Sequence, residues 1–312
     1  MQDKPLVSVI MNCFNGEKYL CEAIESVISQ KYKNWELIFW DNLSIDSSAE
    51  IFNKYTDKRL KYYLSDRHTN LSEARMLAIE KSKGEIITFL DVDDYWKDAI
   101  LETQVALYKD DDIAFSCGNF YILNMTDDFH GFSRLPGLSK QARVRLFTKG
   151  KIPSGYVLNN LLINYSKSVG LIALSVRRSA YLLAGGFSSD YHIIGDFDLV
   201  MRLAINGKMG SFQEPLAFHR KHDNNESIVK LDLCLQELKM WYNKNSYSLI
   251  NTNKKAVNIF SSSLLYYDYV NHINDDSFSF TLLVSALKRQ PLKNVFKIII
   301  KVFIRKLTGS KV

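Results

Sequence analysis

Over the first 120 residues, short apolar runs alternate with stretches whose apolar residues recur at helical spacing. Leu6–Met11, Glu36–Asp41, Leu60–Leu64, Ile86–Asp91 and Ile113–Cys117 read as strands. Residues 17–29, 46–55, 71–82 and 97–108 read as helices, with Ala23, Val27 and Ile28, or Ala74, Leu77 and Ala78, forming the buried stripe. Such alternation predicts an α/β fold, a mostly parallel sheet with helices on both faces. Gly84 marks the turn from helix into the strand that starts at Ile86. From about residue 120 to 170 the pattern weakens. Turn-formers, a basic run from Lys140 to Lys151 and the segment Lys151–Gly155 suggest a mobile or substrate-facing loop region. A second ordered block runs from Leu171 through Gly185-Gly186-Phe187 to a helix at 196–206. Beyond about residue 228 the spacing is helical again, over Leu231–Trp241, 252–271 and 277–288. The chain therefore divides into an α/β domain, 1–230, and a helical C-terminal region, 231–312, with no internal repeat.

Composition places the chain among globular proteins, with 46% apolar and 24% charged residues in 312. The net charge of +6 is unevenly spread: residues 231–312 carry 12 Lys/Arg against 5 Asp/Glu, which leaves residues 1–230 close to neutral. That balance argues against nucleic-acid binding by the main domain. Four cysteines, Cys13, Cys21, Cys117 and Cys234, have no ligand spacing and suggest reduced thiols in a reducing compartment. Met1–Pro5 leads directly into the first strand, which leaves no space for a signal peptide, and no run of 18 apolar residues suggests a membrane span.

The chemistry gathers where the strand from Ile86 ends in Asp91-Val92-Asp93-Asp94. Open α/β sheets bind ligands at the carboxyl ends of their strands. If the extended geometry continues, Asp91 and Asp93 project from one face, and a hard divalent cation carrying phosphate oxygens would relieve their repulsion. The alternative is an acidic turn, with Asp94 capping a helix that starts near Lys97.

Five segments extend this picture. They are Ser8–Asn15, Ile38–Ser47, Asn70–Arg75, the Asp91–Asp94 tip, and Gly185-Gly186-Phe187 leading to Asp196-Phe197-Asp198-Leu199. In that order they resemble the inverting family 2 glycosyltransferases of the GT-A fold, across about residues 5–228. The resemblance implies a Rossmann-like, mostly parallel mixed sheet flanked by helices. It also implies that Phe14, Asn15, Asp41 and Asn42 hold the nucleotide base and ribose. The family usually has a second acid where this chain has Asn42. An amide carbonyl still accepts from a pyrimidine N3–H, though less strongly than a carboxylate, so uridine remains the best fit. Asp41 and Asp46 could instead cap the following helix.

By the same resemblance Arg75 approaches the nucleotide; its other reading is a surface ion pair with Glu73 or Glu80. Asp93 becomes the principal ligand of Mn²⁺ or Mg²⁺, with Asp91 shared between ribose and metal. His222 matches a histidine that in some members reaches the metal or the diphosphate, and is otherwise a surface residue. The family often has Glu in the place of Gly195, so Asp196 is the candidate base, its position near a helix N-terminus favouring the ionised form. Asp196 and Asp198 could also serve only the helix dipole.

The tail from Leu292 to Leu307 puts Lys293, Lys297, Lys301 and Arg305 on one stripe, with Leu292, Val295, Phe296, Ile299, Val302 and Phe303 opposite. That is the pattern of a helix lying in a membrane interface, or of a terminal helix docked on the protein. The combined reading is a metal-dependent inverting hexosyl- or N-acetylhexosaminyltransferase. It would use a nucleotide-sugar donor, UDP-linked by best fit, and a glycan or lipid-linked glycan acceptor in surface polysaccharide synthesis. It would sit in the cytoplasm, peripheral to the inner membrane face, and self-association is compatible with it. The alternatives are a sugar-nucleotide nucleotidyltransferase, or a non-catalytic membrane-peripheral module on a degenerate transferase fold. Asn12–Gly16 lacks the glycine-rich phosphate loop of the first alternative.

Overall fold

The computed structural model describes residues 4–124, 143–164, 169–222 and 225–272. They fall into two units, one ending at Lys230 and one beginning at Leu231. The first unit is built on strands β1 (Val7–Cys13), β2 (Trp35–Asp41), β3 (Leu60–Leu64), β4 (Ile86–Phe89), β6 (Ile113–Gly118), β9 (Ser175–Arg177) and β10 (Lys208–Phe212). These form a seven-stranded sheet in the order β10-β6-β9-β4-β1-β2-β3. β1 pairs parallel with β2 and β4, β2 with β3, and β10 with β6. Only β9 runs antiparallel, wedged between β4 and β6.

Every residue of β1 and β2 is buried, as expected of central strands covered on both faces. The connecting helices are α1 (Leu20–Ile28), α2 (Ser48–Asn53), α3 (Leu71–Glu80) and α4 (Ile100–Leu107). Asn70 caps α3 by accepting from Glu73 N–H, and Ala74 and Ala78 lie fully buried, small enough to bring the helix close to the sheet. The buried Glu36 on β2 accepts from the Ser8 hydroxyl at 2.7 Å, from Lys61 at 2.5 Å and from Lys83 N–H at 2.5 Å. Ser8 in turn accepts from Gly84 N–H, so one carboxylate ties three strands to the turn that starts β4.

A second sheet, β5 (Tyr95–Trp96), β11 (Ala217–Lys221), β7 (Tyr121–Asn124) and β8 (Arg143–Leu146), carries the chain's later half back to the acidic turn. The sequence reading assigns no strands there. β8 lies inside the basic run read as loop, where alternating Arg143-Val144-Arg145-Leu146 is too short to register as a strand without its partner β7. The remaining elements of this unit are α5 (Leu158–Asn164), α6 (Arg178–Leu183), α7 (Gly195–Asn206) and the short α8 (Glu226–Val229). In Gly185-Gly186-Phe187 both glycines adopt positive φ, 82° and 69°, a turn that L residues disfavour. The turn delivers Phe187 into the core, edge-on to Phe89 at 5.5 Å.

In the second unit α9 runs Leu231–His272, so 242–252 is helical rather than a break between two helices. The backbone leaves helical geometry only at Asn253, whose side chain caps the continuation by accepting from Ala256 N–H. The helix expected at 277–288 and the basic tail at 292–307 lie outside the described residues. Among the described residues, no helix is long and apolar enough to cross a membrane.

Candidate active site

A cavity of about 920 Å³ opens at the carboxyl ends of β1 and β4. Of the residues singled out from sequence, Phe14, Asn15, Asn42, Arg75, Asp91, Asp93, Asp196 and His222 line it together. Asp41 does not. It is buried behind the wall, accepting from Ser44 N–H at 2.8 Å and from the Tyr62 hydroxyl at 2.7 Å.

One wall is two loops pinned to each other. Asn15 N–H donates to Ser44 Oγ, Gly16 N–H to Ser48 Oγ and Glu17 N–H to Asp46 Oδ2. In return Ile45 N–H donates to Asn15 Oδ1 and Ser47 N–H to Glu17 Oε2. Asn15 sits at φ 55°, a left-handed position that Asn tolerates better than most residues. The clamp leaves the Phe14 ring half exposed over the cavity, 4.4 Å from the ring of His68. Asn42 spends its amide locally: Nδ2 donates to the Thr69 carbonyl, and Oδ1 accepts from Thr69 N–H and its hydroxyl. The amide therefore holds the Thr69 turn at the cavity edge.

The acids at the tip occupy a turn, not an extended strand. β4 ends at Phe89, and Asp94 N–H donates back to the Asp91 carbonyl at 3.1 Å. Alternation along a strand thus fails to describe Asp91 and Asp93, and each carboxylate has its own hydrogen-bonding partner. Asp91 takes Arg75 Nη2 at 3.0 and 3.3 Å, an ion pair in which Arg75 is 7% exposed. Arg75 is thus buried and paired with Asp91 rather than a surface partner of Glu73 or Glu80, with its guanidinium 5.7 Å from the Phe187 ring, while Glu73 pairs with Arg67. Asp93 Oδ2 lies 2.9 Å from His222 Nε2 and 3.3 Å from Asn225 Nδ2. Burial alone would raise the Asp93 carboxyl, but the hydrogen bond from His222 and the nearby His219 charge hold it below the usual carboxylate range.

Asp94 caps no helix; α4 is capped at Ala99. Its carboxylate faces β11, accepting from Arg220 N–H at 2.8 Å and meeting His219 Nδ1 at 3.1 Å. Burial pushes Asp94 up to about 6 against the pull of His219. The His219 imidazole goes up to about 9, because Asp94 and the two neighbouring acids outweigh its own burial.

In the same cavity, Asp196 projects from the first turn of α7, its Oδ1 accepting from Phe197 N–H. The helix terminus does not dominate its ionisation. Burial raises the Asp196 carboxyl and Arg75 only partly opposes this, bringing it nearer the range of a general base. Asp198 is turned away into an i, i+4 ion pair with Arg202. A Cβ at position 195 would lie 2.1 Å from Ser72 Oγ, so a side chain there would force Ser72 to shift. Sequence reasoning missed the rim formed by His192, Glu226 and Lys230, with Lys230 Nζ 2.7 Å from His192 Nε2 and 2.8 Å from Glu226. No motif marks these three; only the fold brings 192 beside 226 and 230.

A divalent cation fits the donor set at the turn. Mg²⁺-type ions take one or two carboxylates and complete their shell with water and substrate phosphate. Asp93 Oδ2 and His222 Nε2 lie 2.9 Å apart, and Asp91 lines the same cavity. Among the described residues no three such side chains converge, so phosphate oxygens would have to supply further ligands.

Comparison with known proteins agrees with this architecture. The family model described as glycosyl transferase family 2 matches residues 8–162. The UDP-Glc:alpha-D-GlcNAc-diphosphoundecaprenol beta-1,3-glucosyltransferase WfgD of Escherichia coli is 35% identical over 122 residues, 39% of this chain and 48% of its own. The putative teichuronic acid biosynthesis glycosyltransferase TuaG of Bacillus subtilis is 33% identical over 122 residues, 38% of this chain and 48% of its own. The chain thus spans about half the length of these curated relatives. Among solved structures, S. aureus TarS 1-349 in complex with UDP-GlcNAc superposes with a TM-score of 0.66 at 16% identity, covering 94% of this chain and 83% of that one. The mannosyltransferase PcManGT from Pyrobaculum calidifontis, in complex with GDP-Man and Mn²⁺, gives 0.55 at 13% identity, over 99% and 89%. Residues 8–162 form a glycosyl transferase family 2 domain, and the chain has the GT-A fold.

Proposed function

We propose that this protein transfers a sugar from a UDP-sugar to a hydroxyl of a lipid-linked glycan, with inversion and with the help of a divalent cation. The observation that carries the reading is that Asp93, paired with His222, and Asp196 line one cavity. The relative WfgD, by its name, uses UDP-Glc and a diphosphoundecaprenol-linked GlcNAc, and the TarS structure holds UDP-GlcNAc. Both favour uridine as the base, and the name of WfgD favours a lipid-linked acceptor.

In this reading the Phe14–His68 wall and the Asn42–Thr69 turn receive the base, and Arg75 sets Asp91 toward the ribose. Asp93 and His222, with Asp91 beside them, hold Mn²⁺ or Mg²⁺, which supplies Lewis-acid stabilisation of the charge on the departing nucleoside diphosphate. Asp196 accepts the proton of the acceptor hydroxyl as its oxygen attacks the anomeric carbon from the face opposite the leaving group. The raised Asp196 carboxyl suits this task, because a base of higher pKa takes a hydroxyl proton more readily. The C-terminal basic stripe would bring the enzyme to an anionic membrane face where such acceptors reside.

The direct test is thermal unfolding with Mn²⁺ and a panel of UDP-, GDP- and dTDP-sugars, followed by NMR of the product's anomeric configuration. A UDP-sugar should raise Tm selectively, as ligand linkage requires, and the product should have the opposite anomeric configuration to the donor. Stabilisation by GDP- or dTDP-sugars alone, or retained configuration, would refute the donor or the mechanism respectively.

A further inference from the structure

Arg220 does not line the cavity, yet it is fixed on every side by groups that lead to it. Its guanidinium lies between the rings of Tyr19 and Tyr95, 4.7 Å from each centroid. Nη1 donates to the backbone carbonyl of Asp93 at 2.6 Å, and Nη2 pairs with Glu22 on α1. The Arg220 N–H donates to Asp94 Oδ1. The side chain is 5% exposed. Tyr19, on one face of the guanidinium, also stacks on the His222 ring at 5.8 Å and 26°.

We infer that Arg220 is a positioning residue for divalent-cation binding. It fixes the backbone of Asp93 directly and the ring of His222 through Tyr19, so that carboxylate and imidazole meet the cation in one geometry. The inference rests on the metal reading above, but names a residue that touches neither metal nor donor. A planar, five-donor fork can bond two acceptors in its plane while its faces pack on aromatic rings. A lysine keeps the charge and can reach Asp93 or Glu22, but it cannot span both or fill the slot between two rings. Removing a group that orients a metal ligand typically weakens binding about 10–100-fold.

The experiment titrates Mn²⁺ into the full-length protein with UDP present, reading free Mn²⁺ by electron paramagnetic resonance, for wild type and Arg220→Lys. The variant should bind Mn²⁺ at least about tenfold more weakly. Excess Mn²⁺ should recover its turnover, a recovery that general loosening of the fold would not give. Glu22→Gln, altering a half-exposed partner, should weaken Mn²⁺ binding in the same direction by less. Wild-type Mn²⁺ affinity in folded Arg220→Lys overturns the inference. If that variant does not fold, unchanged affinity in Glu22→Gln does so. A wild-type protein that binds no Mn²⁺ would instead bring down the metal reading itself.

Discussion

Individual side chains show how buried charge is assigned to folding or to chemistry. Glu36 is structural: a carboxylate 4% exposed with three donors around it. Burial alone would raise its pKa, but Lys61, Lys83 N–H and Ser8 together lower it below the ordinary 4.5. A group depressed on folding contributes stability that is present above its unfolded pKa and lost as pH falls through the folded one. Glu36→Gln should therefore cost about 1–3 kcal/mol at neutral pH, the penalty for poorly satisfied buried donors. The gap from wild type should close as pH drops below about 4.5; a pH-independent difference in urea midpoints would rule out the ionic account. Arg75 shows the limit of reading residues singly. Its motif position pointed to the cavity, but a surface ion pair with Glu73 or Glu80 is the other reading the sequence allows. Only the fold brings it within 3.0 Å of Asp91, sixteen residues away.

Among elements, those with uninterrupted periodicity were legible in the sequence and those that depend on distant partners were not. β1, β2, β4 and β6 stand near their expected positions because each is almost wholly buried, and the half-exposed β3 and the helices between them follow the same local periodicity. β5, β7, β8 and β11 are two to five residues long and gain their hydrogen bonds from segments about 20 to 120 residues away. β9, three residues long, was unreadable as a strand for the same reason. The acidic turn was legible in composition and not in geometry, since nothing local says that the strand stops at Phe89. Helix α7 is a further case. The first turn of α3 meets it at Gly195, where a Cβ would lie 2.1 Å from Ser72 Oγ and 3.3 Å from Ser72 Cβ. Gly195→Ala should therefore destabilise the protein by about 1–3 kcal/mol, as overpacking does. Adding Ser72→Ala should return part of the loss; strictly additive effects in the double-mutant cycle would show that the two helices do not meet as described.

At the scale of the whole molecule, charge and chemistry are separated. Residues 1–230 are near neutral and hold the cavity, whereas the excess of basic residues lies in 231–312, most of it beyond residue 285. With about 1 kcal/mol per cation near an anionic surface, the stripe Lys293, Lys297, Lys301 and Arg305 would contribute several kcal/mol to membrane binding. The full-length protein should then co-sediment with phosphatidylglycerol-containing vesicles at low salt and be released as salt rises. Equal binding to purely zwitterionic vesicles would argue for apolar insertion alone, and no binding would overturn the membrane proposal.

The central claim is that one cavity holds a cation on Asp93 and a base on Asp196, and it can be measured directly. UDP release from a UDP-sugar, with acceptor and Mn²⁺ present, should be compared for wild type, Asp93→Ala and Asp196→Ala, alongside Mn²⁺ affinity. The account predicts that Asp93→Ala loses both Mn²⁺ binding and turnover. Asp196→Ala should lose turnover by about 10²–10⁴-fold while keeping wild-type Mn²⁺ affinity. Wild-type turnover in either variant, or loss of Mn²⁺ binding on replacing Asp196, would contradict it.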